Sequence, residues 1–209
     1  IPFSPPARRL PPALMDEVKQ ELDNMEKSGV IKKVTGPSEW CSPSVIAYKK
    51  DKKSIRLCAD LRRLNSAVER QNTQIPTVEE FQAKTQGAKY FSVLDCTNSY
   101  WQIPVAESSQ HYLTFSTPFG RYCYTRLPFG LVSAPEVFQA ALSGLLDGIP
   151  EANNYVDDIF IATSSLEKHV AVLRKVFTVF RDSGIRLNKS KCQVLQAEVE
   201  FLGHIWSKD

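Results

Sequence analysis

Residues 153–163 read Asn-Asn-Tyr-Val-Asp-Asp-Ile-Phe-Ile-Ala-Thr, "NNYVDDIFIAT", with Asp157 and Asp158 side by side among aromatic and aliphatic neighbours. Adjacent carboxylates repel, and a β-rich apolar segment is a costly place to desolvate them. The pattern predicts strand–turn–strand with the turn at Val156–Asp158, which lifts both aspartates to one end of a sheet. No Asn-Gly or Asp-Gly makes that turn, so it needs another reason to exist. Asp95, 62 residues before Asp157, closes the strand-like run "KYFSVLD". If the intervening helix returns the chain so that the two strands are neighbours, three carboxylates converge at one edge. Such a cluster is unfavourable alone and favourable around Mg²⁺, which prefers carboxylate oxygens and substrate phosphates. Two such ions roughly 3.5–4 Å apart can hold the attacking and the leaving oxygen of a phosphoryl transfer.

Outward from this stretch, apolar spacing and capping signals set the other elements. "PPALMDEVKQELDNMEKSG" predicts a helix with a stripe of Leu14, Val18, Leu22 and Met25, stopped by Gly29. "VIKKV" and "SVIAYKKDKKSIRLCADL" predict strands, the second folded into a basic hairpin. Thr77 opens a capping box for a short helix. "HYLTFSTPFGRYCYTRL" predicts a hairpin turning at Phe119–Gly120. "SAPEVFQAALSGLLDGI" predicts a helix with stripe residues Phe138, Ala141, Leu142 and Leu145. A further helix is expected after Asp158, with Ser164 to Glu167 as its capping box and Gly184 as its stop. "IRLNKSKCQV" and "VEFLGHIW" predict short strands. The order is α+β: an antiparallel sheet with helices on one face.

Composition limits the rest. The chain has 209 residues, 43% hydrophobic and 23% charged, ordinary for a globular protein with a real core. No apolar stretch approaches the roughly 18 residues that span a bilayer, and no leader opens the chain. Five cysteines without a C-x-x-C pair argue against a disulfide frame or zinc site and for a reducing compartment. The net charge of +3 is uneven: ten Lys/Arg against four acids lie between Val30 and Gln74, leaving the remainder mildly acidic. A basic lobe on an acidic body fits a polyphosphate or nucleic-acid partner, although a solvated charged hairpin accounts for it equally.

Six motifs in order, "SIRLCADLRRLN" (54–65), "FSVLDCTNSYWQI" (91–103), "TPFGRYCYTRLPFGLVSAPEVFQ" (117–139), "NYVDDIFI" (154–161), "LNKSKC" (187–192) and "FLGHI" (201–205), resemble the fingers and palm of a reverse transcriptase. The flavour is that of gypsy-type long-terminal-repeat retrotransposons and retrovirus-like pol polyproteins. The resemblance implies a right-hand polymerase fold, residues 1–90 mainly fingers and 91–209 mainly palm, with a fingers segment returning around 112–130. It implies that Asp95, Asp157 and Asp158 bind two Mg²⁺ ions, with Mn²⁺ a possible substitute. Lys191 is implied as the acid that protonates leaving pyrophosphate; a solvated surface lysine is the alternative. Lys49 and Arg56 are implied to grip the incoming triphosphate, Asn98 and Ser99 to touch its phosphates by their backbone, and Tyr100 to reject a 2′-hydroxyl. Phe129 and Gly130 line the nucleotide pocket in that family. Arg62, Asn65, Tyr155, Gly203 and His204 match template or primer contacts, although Arg62 may instead pair with a palm carboxylate.

The implied reaction is DNA synthesis from dNTPs on an RNA or DNA template with a primer. The competing readings are an RNA-copying polymerase, which the aromatic gate opposes, and a domesticated nucleic-acid-binding relic without polymerase activity. The implied setting is intracellular: cytoplasm, virus-like particle or nucleus. No thumb, ribonuclease H, protease or integrase segment follows "FLGHI". The resemblance therefore leads one to expect weak template-primer binding and poor processivity from this stretch alone.

Overall fold

A computed structural model describes residues 3–48, 54–70, 73 and 75–208. Among these residues the helices are α1 (Met15–Lys27), α2 (Arg62–Asn65), α3 (Val78–Thr85), α4 (Glu107–Gln110), α5 (Ala134–Leu145) and α6 (Leu166–Ser183). The strands are β1 (Ile31–Val34), β2 (Ser42–Tyr48), β3 (Ile55–Ala59), β4 (Tyr90–Asp95), β5 (Thr114–Thr117), β6 (Gly120–Tyr124), β7 (Ala152–Tyr155), β8 (Asp158–Thr163), β9 (Gln193–Gln196), β10 (Glu198–Phe201) and β11 (His204–Ser207). They form two compact units, Ile1–Arg70 with Tyr100–Ala134, and Gln71–Ser99 with Pro135–Asp209. No helix among the described residues is long and apolar enough to cross a membrane.

The first unit is a five-stranded sheet in the order β1-β6-β5-β2-β3. The expected basic hairpin is present as β2 paired with β3, though the tip at residues 49–53 lies outside the described residues. One pairing is parallel, β2 with β5, Ser42 opposite Phe115. Helix α1 buries Val18, Leu22 and Met25 of its expected stripe in a cluster with Leu57, Phe115, Tyr122 and Tyr124, while Leu14 precedes the helix and is only partly buried. Each such side chain contributes about 1.5–3 kcal/mol when fully buried. Gly29 stops the helix at φ +70, a conformation that costs glycine nothing. The β5–β6 hairpin turns at Pro118–Phe119, with Thr117 opposite Gly120, one residue before the expected place.

The second unit is an antiparallel sheet in the order β7-β8-β4-β9, beside the two-stranded ribbon β10–β11. Its core gathers Phe81, Phe91, Phe160, Phe201 and Trp206. The rings of Phe160 and Phe201 stack at 4.7 Å, and the Trp206 indole N–H donates to the Phe201 carbonyl at 2.9 Å. The Thr77 capping box forms with Glu80. Helix α6 is capped by Ser165, not Ser164: the Ser165 hydroxyl accepts the Lys168 N–H at 3.3 Å. Either serine satisfies the sequence signal; the one whose backbone stays extended beside the first helical residue takes the cap.

The segment expected as a strand from Ile185 is strand only from Gln193. The Asn188 side chain accepts both the Ser190 N–H, at 3.2 Å, and the Ser190 hydroxyl, at 2.7 Å. This local bond gives the backbone a turn in place of a ladder. Residues 186–188 nonetheless touch β4, because Asn188 N–H donates to the Asp95 carbonyl at 2.8 Å and Thr97 N–H to the Arg186 carbonyl at 3.0 Å.

Candidate active site

Strands β4 and β8 pair antiparallel over their whole length, and the register ends with Asp95 directly opposite Asp158. On the other side of β8, Tyr155 of β7 faces Asp158 across a two-residue turn, Val156–Asp157. Three carboxylates are thereby delivered to one sheet edge by backbone pairing alone. The turn sits one residue tighter than expected and is unusual, because Val156 takes φ +54. A positive φ at the first central position suits a II′ hairpin, but glycine normally supplies it, and a β-branched residue there is strained.

The charges respond to one another. Asp158 is pushed up to about 6, first by burial, then by Asp157 and Asp95, against the opposing pull of Lys191. The Lys191 ammonium, on a side chain still 64% exposed, donates to Asp95 Oδ2 at 3.2 Å. Cys192 offers its sulfur to the Asp95 N–H at 3.4 Å, and the Cys96 N–H donates to the Asp157 carbonyl at 3.1 Å. Burial and the three aspartates push the Cys96 thiol up to about 12. Among the described residues no group of three or more His, Cys, Asp or Glu side chains is arranged to hold a metal ion as it stands. The carboxylates share an edge, but the nearest cation to Asp95 is the lysine.

Helix α5 holds the turn through residues that the sequence reading passed over. Gln139 is 2% exposed and Asn154 4%. The Gln139 Oε1 accepts the Val156 N–H at 2.6 Å, and its Nε2 donates to the Asn154 carbonyl at 3.1 Å. The available signal was position: Gln139 falls three residues before Leu142, a polar side chain on the face meant for the core. Of the expected stripe on this helix, Phe138 and Leu142 are fully buried and Ala141 and Leu145 only partly.

The remaining candidates of this unit are dispersed. Asn98 takes φ +45, which asparagine tolerates, and Ser99 is buried. Tyr155 is half-buried against the aromatic core. Gly203 and the exposed His204 lie at the tip of the β10–β11 ribbon, where Leu202 and Gly203 both have positive φ. Phe201, expected in the core, is there.

The first unit gathers a second group. The Arg56 guanidinium lies 5.1 Å from the centre of the Phe129 ring, and the rings of Tyr100 and Trp101 approach the same phenylalanine at 5.0 and 5.7 Å. Asn65 secures the loop that carries Phe129. Its Nδ2 donates to the Gly130 carbonyl at 2.8 Å, and its Oδ1 accepts the Val132 N–H at 2.9 Å. Gly130 adopts φ +89 with the Ala59 carbonyl 3.9 Å from where a Cβ would stand. Arg62 pairs with Asp60 two residues before it, not with a palm carboxylate. The contact is bidentate, at 2.8 and 2.7 Å, and Arg8 adds a third bond at 3.0 Å. Arg62 foremost, with Arg8 assisting, holds the Asp60 carboxyl down to about 2. Lys49 lies outside the described residues.

Known proteins resemble this chain over most of its length. The family described as "Reverse transcriptase (RNA-dependent DNA polymerase)" matches residues 47–206. The chain is 33% identical over 199 residues to the "Retrovirus-related Pol polyprotein from transposon 297" of Drosophila melanogaster, covering 92% of this chain and 19% of that protein. It is 30% identical over 197 residues to the "Transposon Tf2-3 polyprotein" of Schizosaccharomyces pombe, covering 93% of this chain and 15% of the relative. This chain therefore spans under a fifth of the length of these polyproteins. Among solved structures, the foamy viral protease-reverse transcriptase in complex with double-stranded DNA superposes with a TM-score of 0.89 at 28% identity, over 100% of this chain and 36% of that one. The same viral protein with an RNA/DNA hybrid superposes at 0.88 and 28% identity, over 99% and 28%. With the family matched over residues 47–206 and relatives and solved structures alike over nearly its whole length, the chain belongs to the reverse transcriptase (RNA-dependent DNA polymerase) family.

Proposed function

We propose that this chain carries RNA-directed DNA polymerase activity, extending a primer on an RNA or DNA template with dNTPs. The observation that carries the reading is the strand register that sets Asp95 opposite Asp158, with Asp157 in the adjoining turn. In this reading the first unit is the fingers and the second the palm, within a gypsy-type or retrovirus-like pol polyprotein. Its setting is the cell interior, cytoplasmic, in virus-like particles or nuclear.

The donor set fits a hard divalent cation. Asp95, Asp157 and Asp158 offer only carboxylate oxygens, and the mutual repulsion that raises Asp158 is what such a cation relieves. Asp95 and Asp157 would hold two Mg²⁺ ions, with Asp158 a looser third ligand and Mn²⁺ a substitute. When bound, these ions supply Lewis-acid neutralisation of the triphosphate and of the primer oxygen. The protein's own groups do the rest. Arg56 presents a planar fork to phosphate oxygens, its direction set by the Phe129 face behind it. Lys49 adds a point charge, and the backbone of Asn98 and Ser99 touches the phosphates. Tyr100, held against Phe129, closes on the sugar and leaves no room for a 2′-hydroxyl. Gly130 lets the loop backbone approach the base pair. Lys191, bonded to Asp95, holds the proton that leaves with pyrophosphate. Arg62, Asn65, Tyr155, Gly203 and His204 lie along the template and primer strands, Asn65 acting through the loop it secures.

Primer extension on an RNA template with Mg²⁺, run with dNTPs and separately with rNTPs, tests this. Synthesis from dNTPs alone, absent in Asp157→Asn, is the expected result. Template-primer binding without synthesis points instead to a nucleic-acid-binding relic, and equal use of rNTPs to an RNA-copying enzyme.

A further inference from the structure

We propose that Gln139 is a positioning residue for the Asp157–Asp158 turn, setting the carboxylates in the arrangement that binds a divalent cation. The inference rests on the polymerase reading and names the residue on which its metal site depends.

The hydrogen bonds at the turn call for an acceptor and a donor on one side chain. Val156 N–H is a donor, so the atom facing it at 2.6 Å accepts; the Asn154 carbonyl is an acceptor, so the atom facing it at 3.1 Å donates. A primary amide does both from one planar group whatever the pH, whereas an imidazole or a carboxyl does so only in its neutral form. A carboxylate would set an oxygen against the Asn154 carbonyl, and a hydrocarbon would leave a buried donor and acceptor unpaired. A second tier fixes the amide itself. Ser143 Oγ accepts from Gln139 Nε2 at 3.3 Å and donates to Asn154 Oδ1 at 2.9 Å. The Asn154 Nδ2 closes the ring on the Gln139 backbone carbonyl at 3.1 Å. The turn is thus held from α5 at Val156 and from the end of β4 at Asp157, where Cys96 N–H donates.

Val156 explains why such a hold is needed. A β-branched residue at φ +54 is a conformation the chain leaves unless its surroundings impose it. Relaxing it swings the next two residues, which are the two aspartates. Gln139 touches no reacting atom, so its loss acts through carboxylate placement.

The test is Mn²⁺ binding by the 209-residue chain, read from the electron paramagnetic signal of the free ion, together with primer-extension kinetics. Gln139→Asn keeps the amide but falls a methylene short of Val156; Gln139→Met keeps the length without the amide. Both are expected to weaken Mn²⁺ binding about tenfold or more, the scale of one buried unpaired donor. Both should lower kcat with the KM for dNTP within about twofold. Ser143→Ala, which leaves the Val156 bond in place but takes one hydrogen bond from the Gln139 amide, should weaken Mn²⁺ binding less than either Gln139 variant. Variants that bind Mn²⁺ as the wild type does overturn the inference alone. A Gln139→Asn protein that fails to fold also overturns it, because the amide would then serve the fold and not the turn. A wild type with no Mn²⁺ site sensitive to Asp157→Asn sinks the metal reading and this inference with it.

Discussion

The loop at residues 129–132 in the first unit and the turn at 156–157 in the second are each clamped by one side-chain amide, Asn65 and Gln139. They differ in what the backbone does between the clamps. The first loop places its positive φ on Gly130, which has no Cβ to object; the second places it on Val156. A left-handed conformation costs an ordinary L-residue about 1–2 kcal/mol and a β-branched one more. The clamps differ accordingly: Gln139 is buried, whereas Asn65 is partly exposed. A relaxed loop tolerates a wet clamp, and a strained one needs a dry clamp.

The strongest way to separate the regions is to remove their functional groups in turn. Asp157→Asn is expected to lower Mg²⁺-dependent extension at least about a thousandfold, equivalent to several kcal/mol of lost charge stabilisation. Circular dichroism should show the sheets intact; full activity in this variant would end the metal argument. In the first unit, Tyr100→Ala should shift the choice between dNTP and rNTP toward ribonucleotides by roughly 10–100-fold, the range one steric contact supplies. Competition assays with mixed nucleotides read that ratio, and an unchanged value removes Tyr100 from the gate.

Smaller effects sharpen the contrast between the clamps. Asn65→Ala leaves the Gly130 carbonyl and Val132 N–H without their partner and should cost about 1–3 kcal/mol if those groups stay dry, less if water replaces the amide. Denaturant titration gives the value. The two backbone positions should respond with opposite signs. Gly130→Ala should destabilise by about 1 kcal/mol, while Val156→Gly should be neutral or stabilising by up to that amount, strain relief outweighing added chain entropy. Two losses of equal size would show that Val156 is not strained.

The smallest effect is a pH slope. His169 is fully buried, bonded to Ser92 at 2.7 Å and Thr163 at 2.9 Å, and burial lowers its affinity for a proton below the usual 6.5. The unfolded chain therefore binds the proton more readily. This contribution is fully present above about pH 6.5 and is lost as pH falls through the lowered folded value. Thermal melts across pH 5–8 should show wild-type stability falling on the acid side, with a shallower fall in His169→Gln.

Much of this was legible in the chain. The Thr77 box, most of the α1 stripe and the strand ending at Asp95 depend on neighbours a few residues away, and local pattern reports those. What was not legible depends on distant partners or on a choice between equals. The parallel pairing of β2 with β5 joins segments some seventy residues apart, and alternation cannot name a partner. Asn188 reads as part of a strand until its side chain is seen bonding Ser190. Arg62 reads as a template contact or the partner of a palm carboxylate, but Asp60 two residues away holds it in a fork. Gln139 was hidden because a polar residue on an apolar stripe looks like noise until its donors and acceptor are counted.

Cys96 shows what burial and the neighbouring aspartates together impose on a bystander. With its thiol pushed up to about 12, almost none of it ionises at neutral pH, and the ionised form is what alkylating agents and peroxides attack. Burial first, and the negative potential of the three aspartates second, thus act as chemical armour. Oxidative damage to this protein should spare Cys96 relative to sulfurs nearer solvent.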